Sequence, residues 1–287
     1  MSLVAILGAG EMGGAAARAL ATRARVGAIL IVDEQPNVAA GKALDLRQAG
    51  PISGSDTRID GSTDFTSVAG ASAIVLADTA AGVEWSGDAG LALLRRLARL
   101  GCFQDGVLIC AGARQDALIQ LATDAVELGL SRSRVVGSAP EALASTIRAL
   151  TAIEARVSAS QVALTVLGIP PRRMVVPWAE ASIAGHSVTA LLTQPQLNLV
   201  EARMKGLWPP GPSTLGVAAA MFAEAVALGS RRLFSAFVSL DRDNGTKAPV
   251  CAWPVTIGPR GLERVTTPSL TPRDRVVIDE VLGNETP

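Results

Sequence analysis

A chain of 287 residues with 26 Lys and Arg against 26 Asp and Glu carries no formal net charge, and it is 49% hydrophobic with one His, three Cys and no Tyr. Balanced charge with no basic stripe argues against a nucleic-acid partner. The apolar content is too high for a disordered chain, and no run approaches the roughly 20 uninterrupted apolar residues of a membrane helix. Cys102, Cys110 and Cys251 are widely spaced without a metal-ligand pattern. Buried free thiols in a reducing cytoplasm are therefore expected, and no metal site is.

The length allows one large core or two domains that share an interface. Ser2–Leu7 reads as a strand running straight into Gly8-Ala-Gly10-Glu11-Met12-Gly13. It lacks the charged leader, long apolar region and cleavage site of a secretory signal. Gly8 permits a tight strand-to-helix turn, Gly10 lets a pyrophosphate approach the backbone, and Gly13 lets helix and strand pack closely. Phosphates would rest on the unpaired N–H groups at the helix N-terminus. A helix over Glu11–Thr22 and a strand over Ala28–Asp33 follow. Asp33, at the end of that strand, is placed to accept from adenosine ribose hydroxyls and to repel a 2′-phosphate, which favours NAD over NADP. The bland alternative is a turn that binds nothing. Gly10 weighs against it, because a residue without a side chain is most needed where a phosphate comes close.

Strands at Ala73–Ala77, Val107–Ala111 and Val135–Gly137 alternate with helices at Val38–Gln48, Leu91–Leu100 and Asp116–Leu128. That order argues an α/β fold with a doubly wound parallel sheet. A boundary near residues 140–143 divides the chain into a Rossmann dinucleotide domain, 1–142, and an α+β domain, 143–287. In the second part Gln161–Leu167 is β-like, and Gln194–Lys205 and Leu215–Leu228 are helical. Leu215–Leu228 is apolar nearly all round, as expected of a helix buried in a core or a subunit contact. Ala236–Asp241 and Val250–Ile257 read as antiparallel strands, with Asn244-Gly245 as the hairpin signal between them. Thr271 as N-cap and Pro272 in the first turn open a final helix.

Gly41-Lys-Ala-Leu-Asp-Leu46, Asp64–Leu76, Met174-Val-Val-Pro-Trp178 with Ala184-Gly185, and Val255-Thr-Ile-Gly258 with Gly261–Val265 extend the pattern to the C-terminus. With these signposts in order, nearly the whole chain resembles the lactate/malate dehydrogenase family. The resemblance implies an NAD-dependent oxidoreductase that assembles as a homodimer or homotetramer. Cofactor contacts are expected at Gly8, Gly10, Glu11, Met12, Gly13, Asp33 and Ala77. In the family mechanism a histidine oriented by a carboxylate accepts the hydroxyl proton of a 2-hydroxy acid while hydride leaves for the nicotinamide. Arginines clamp the substrate carboxylate and polarise the forming carbonyl.

Those groups are replaced here. Pro170, in Gly168-Ile-Pro-Pro-Arg172, stands at the histidine position, Leu143 at the carboxylate position, and Thr146 at the clamping arginine, with Arg148 surviving beyond it. Ala81 and Gly87 occupy the basic positions of the mobile loop, and Ala113 replaces an asparagine that meets nicotinamide or substrate. The loop is instead acidic, through Asp78, Glu84 and Asp88, and carries Trp85. Ser213 and Thr214 keep the hydroxyl-bearing position and, with Arg172, are the substrate-pocket candidates; a solvated pair is the bland reading of Arg172-Arg173. His186 falls too late to be the family's base and reads as a surface residue. No catalytic residue is nominated.

Two functions compete. One is an NAD-binding pseudoenzyme of oxidoreductase ancestry, with malate and lactate turnover absent or very weak. The other is an active NAD-dependent oxidoreductase on a different 2-hydroxy acid, or another CH–OH substrate, through a relocated base. Convergence of Asp78, Glu84, Glu141 or Arg172 on the pocket would separate them. In both, the partners are a nicotinamide dinucleotide and an unknown small molecule.

Overall fold

The computed structural model describes residues 2–240 and 249–283. The first half alternates strand and helix: β1 Leu3–Leu7, α1 Glu11–Arg23, β2 Ala28–Val32, α2 Pro36–Ser53, β3 Arg58–Ser62, β4 Ala73–Leu76, α3 Gly87–Arg99, β5 Val107–Cys110, α4 Asp116–Asp124 and β6 Val135–Gly137. These strands are parallel in the order β3-β2-β1-β4-β5-β6. Helices cover both faces of such a sheet, so its inner strands are continuous apolar runs rather than alternating ones. Strands β1, β4 and β5 fit that description, with Val4–Leu7, Ala73–Leu76 and Val107–Cys110 all fully buried.

The second half contributes α5 Ala139–Ala155, β7 Val162–Ala163, β8 Leu167–Ile169, β9 Arg173–Val175, β10 Ser182–Ile183, β11 His186–Ser187, α6 Val188–Leu191, α7 Gln194–Met204, α8 Pro212–Leu228, β12 Arg232–Val238, β13 Cys251–Gly258, β14 Gly261–Val265 and α9 Pro272–Leu282. Strand β12 joins the parallel sheet antiparallel to β6 at Phe237 and Gly137, and β13, β8 and β9 extend it further. A small sheet, β11-β10-β7, stands apart. The larger buried core unites the parallel half with α8, β12 and β13, while a second core lies between α5 and α7.

Several expectations shift. The edge strand β3 was not anticipated: it has Ile59 as its one large apolar residue, and Gly61 lets the backbone of Ala39 in α2 approach. The β-like run over 161–167 is divided between two sheets, Val162–Ala163 in one and Leu167 at the start of β8 in the other. Helix α4 ends at Asp124, short of Leu128, and a 3₁₀ turn completes the segment. The expected strand over 236–241 begins earlier, at Arg232, and pairs with β13 in the antiparallel sense. Asn244-Gly245 lies outside the described residues. Thr271 caps α9 by accepting from the Asp274 N–H at 3.2 Å.

Helix α8 is buried along most of its length, and Gly216 sets its distance from α1. A Cβ there would lie 2.4 Å from the Met12 carbonyl oxygen. All three cysteines are free and buried, and burial pushes the Cys110 and Cys251 thiols up to about 12. Among the described residues no helix is long and apolar enough to cross a membrane.

Candidate dinucleotide cleft

The glycine turn forms as its sequence requires. Gly8 adopts φ +106° and donates to the Val32 carbonyl at 2.7 Å, which draws β1 and β2 together at their C-terminal ends. A Cβ on Gly13 would sit 2.0 Å from the Gly8 carbonyl oxygen, so Gly13 serves the close helix–strand packing expected of it. Gly10 precedes the first residue of α1 as N-cap.

The space beside Gly10 is filled. A Cβ there would lie 2.3 Å from both Cγ and Oδ2 of Asp78, the second residue beyond β4. The Asp78 carboxylate accepts from the Gly13 N–H at 3.0 Å and the Met12 N–H at 3.3 Å, and its carbonyl accepts from Gly10 at 3.0 Å. Asp78 is 5% exposed. A carboxylate at a helix N-terminus is the electrostatic equal of a bound anion, since it satisfies orphan donors and faces the positive end of the dipole.

Asp33 is committed in the same manner. Its Oδ2 accepts from Ala9 at 2.8 Å and Ala80 at 2.9 Å, and its Oδ1 accepts from Gln35 at 3.0 Å. The loop after β4 is therefore tied to the glycine turn by two aspartates. Asp78 and Glu84 face each other in an antiparallel bridge, and the Thr79 N–H donates to Val83 at 2.9 Å. Glu84 then reaches the end of β5, where its Oε2 accepts from the Arg114 N–H at 3.0 Å. Gln115, fully buried, accepts from Gly112 and donates to the Trp85 carbonyl, fixing the other end of the loop.

What remains is a cavity of about 520 Å³ between the loop and the start of α8, with Glu11, Asp78, Glu84 and Arg114 among its walls. Three carboxylates face one guanidinium. Donors of the right kind for a dinucleotide diphosphate are present, but in this conformation Asp78 takes three of them, Met12 and Gly13 through its carboxylate and Gly10 through its carbonyl. The residues as arranged do not fit that group. Of the remaining contacts expected there, Ala77 is fully buried, and its N–H is spent on the Leu7 carbonyl at 2.9 Å.

The positions aligned with catalytic groups carry no acid–base chemistry. Pro170 is buried at the turn between β8 and β9, and Leu143 packs fully buried in the second core. The Thr146 hydroxyl donates to the Ala142 carbonyl within its own helix at 3.0 Å. Arg148 pairs with buried Glu141 at 2.6 Å beside a different cavity, so Glu141 is not brought to the cleft. Arg172 is exposed in the turn after Pro170 and does not line the cleft cavity. Ser213 and Thr214 lie in the first turn of α8, between the cavity-lining residues Pro212 and Leu215. His186 is exposed on the β10–β11 hairpin. Of the four groups whose convergence was open, Asp78 and Glu84 meet.

The sequence set Asp78 among the groups that could converge on the pocket but did not place it against Gly10. Its signal was an acid closely following the strand that abuts the glycine turn.

No family model matches the chain. Among curated relatives, the malate dehydrogenase of Thermomicrobium roseum is 30% identical, with 96% of this chain and 93% of the relative covered. That of Thioalkalivibrio sulfidiphilus is 27% identical, covering 99% and 97%. Among solved structures, the lactate dehydrogenase of Cryptosporidium parvum, complexed with lactic acid and nicotinamide adenine dinucleotide, superposes with a TM-score of 0.85. It is 20% identical and covers 98% of this chain and 95% of that one. The malate dehydrogenase of Salinibacter ruber gives the same TM-score at 22% identity, covering 98% and 94%. With its glycine turn, its β3-β2-β1-β4-β5-β6 order and a malate dehydrogenase relative 30% identical over 96% of its length, this chain belongs to the lactate/malate dehydrogenase family.

Proposed function

We infer that this chain is a nicotinamide-dinucleotide protein of the family whose hydride transfer on malate or lactate is absent or very weak. The observation that carries the reading is the buried proline, Pro170, at the position of the family's proton acceptor. Leu143, fully buried, stands where its carboxylate partner would be, and Thr146 where the substrate arginine would be. Proton acceptor, orienting group and anion clamp work as a unit, and loss of a general base alone costs on the order of 10⁴-fold.

NAD(H) is the dinucleotide class the turn would take once its donors are free, with Gly8, Gly10, Glu11, Met12, Gly13, Asp33 and Ala77 around it. A carboxylate at Asp33 favours it over NADP(H). The same reading expects a cytoplasmic homo-oligomer, with Ser213 and Thr214 beside the cleft cavity, and Arg172 outside it, as candidate contacts for a small molecule. A relocated base is the weaker alternative, because the two cleft carboxylates that meet, Asp78 and Glu84, already accept backbone hydrogen bonds.

The test is oxidation of malate and lactate, and reduction of oxaloacetate and pyruvate, with NAD(H) and NADP(H), beside an active malate dehydrogenase as control. No turnover above background is expected. Rates within the usual enzyme range of roughly 1–10³ per second would overturn the reading.

A further inference from the structure

Resting on the reading of the cleft as a dinucleotide site, we propose that Asp78 is the resident occupant of its phosphate seat, so that the loop holding Asp78 shuts NAD(H) out until it is displaced. Of the turn's backbone donors Asp78 engages three: its carbonyl takes Gly10, and its carboxylate takes Met12 and Gly13. Position supports the same conclusion as bonding. The carboxylate lies directly against Gly10, where a Cβ would come within 2.3 Å of it, so a phosphate and this side chain cannot share the space.

This requirement changes what Gly10 signifies. A glycine that lets an anion approach the backbone is needed whether the anion is a ligand's phosphate or the chain's own carboxylate. Gly10 is therefore required by Asp78 alone, whether or not a ligand binds.

The loop is anchored beyond Asp78. The Ala80 N–H reaches Asp33 at 2.9 Å, so the residue expected to hold the ribose holds the loop instead. Glu84 lies against Gly112, where a Cβ would be 2.3 Å from its Oε2, and it accepts from the Arg114 N–H. Residues 78–85 thus cross the C-terminal ends of β1, β4 and β5, where a dinucleotide would run. Charge adds to occupancy, because a diphosphate entering the cavity meets Glu11, Asp78 and Glu84 against Arg114. Binding then requires a conformation in which the loop has left, and apparent affinity falls in proportion to the fraction of molecules in that state.

The experiment compares the full-length wild type with Asp78→Ala, Asp78→Asn and Asp88→Ala by NADH fluorescence titration. Thermal denaturation with and without pyrophosphate runs in parallel. Asp88, exposed at the start of α3, controls for the loss of one loop charge. Asp78→Ala should raise NADH affinity at least tenfold, and pyrophosphate should raise its melting temperature while leaving the wild type's unchanged. Asp88→Ala should behave as wild type. Should Asp78→Ala not fold, Asp78→Asn, which keeps the shape without the charge, carries the test with a gain of at least threefold. Wild-type affinity within threefold of a folded Asp78→Ala overturns the occupancy and leaves dinucleotide binding standing. No NADH binding at millimolar concentration by wild type or folded variants overturns the dinucleotide reading, and the occupancy with it.

Discussion

The Asp33 carboxylate accepts the Ala80 N–H at 2.9 Å, and the same oxygen accepts the Ala9 N–H at 2.8 Å. One side chain thus clamps the loop after β4 onto the turn after β1. In an open cofactor cleft such an acid faces outward, free for a ligand. Here Asp33 is 4% exposed, and its other oxygen accepts from Gln35. Its role in this conformation is structural.

Removing it should cost stability in the absence of any ligand. Asp33→Ala leaves the Ala9 donor buried without a partner and frees Ala80. A buried donor stranded in this way costs about 1–3 kcal/mol. Urea denaturation of the ligand-free protein should register about 3 kcal/mol. A change below about 0.5 kcal/mol would show that the two backbone donors do not depend on Asp33.

A pair of glycines tests the packing of α1 on α8. At Gly216 a Cβ would meet the Met12 carbonyl oxygen at 2.4 Å and the Ala16 nitrogen at 2.9 Å, both backbone atoms that can yield only if a helix moves. Gly216→Ala should therefore destabilise by about 2 kcal/mol, as overpacked sites do. Gly41, inside α2, has nothing within 4 Å of its would-be Cβ. Gly41→Ala should stabilise by about 0.5–1 kcal/mol through helix propensity alone. Equal effects of one sign at the two sites would refute this account of the α1–α8 contact.

The parallel half of the fold was legible because its inner strands are buried on both faces and announce themselves as short apolar runs between helices. Legibility ended where one segment serves two purposes. Residues 161–169 cross from a small sheet to the main one, so a single β-like run concealed two strands. Strand β3, on the sheet edge with Asp60 and Gly61 in its interior, lacked the apolar run altogether. At the cleft, the three glycines predicted the shape of the turn. They could not identify its occupant, because a carboxylate of the chain and a phosphate of a ligand demand the same glycine. That Asp78 lies on Gly10 depends on β1 and β4 being neighbours, which is a property of the sheet and not of local sequence.

Glu141 offers a pH-dependent prediction. Burial pushes its carboxyl above the ordinary value of 4.5, and Arg148, paired at 2.6 Å, and the Ser235 N–H, at 2.9 Å, offset this only in part. Below 4.5 the group is protonated in both the folded and unfolded states. As pH rises through 4.5 the unfolded chain releases its proton first, so stability falls until the raised folded value is passed and stays lower beyond it. Glu141→Gln does not titrate. The stability of wild type relative to Glu141→Gln should therefore decline between pH 4 and pH 7 in chemical denaturation. A difference that grows with pH would mean that pairing with Arg148 outweighs burial.

Glu224 separates the value of an ion pair from the cost of breaking it. It is nearly fully buried on α8 and is held by Arg23 at 3.2 Å, the last residue of α1, and by Arg25 at 2.9 Å, just beyond it, both substantially exposed. Desolvating a carboxylate is expensive, and a partly exposed guanidinium returns only part of that cost. Replacing the acid with Glu224→Gln removes the buried charge and leaves two arginines that water can solvate, so the loss should stay below about 1 kcal/mol. Removing both arginines instead strands the carboxylate under α8, where an unpaired buried charge costs about 3 kcal/mol or more. The double variant Arg23→Ala with Arg25→Ala should therefore unfold at clearly lower denaturant than Glu224→Gln, although both abolish the same ion pairs. The reverse ranking would mean that water reaches Glu224 and that the α1–α8 contact rests on Gly216 and its neighbours alone.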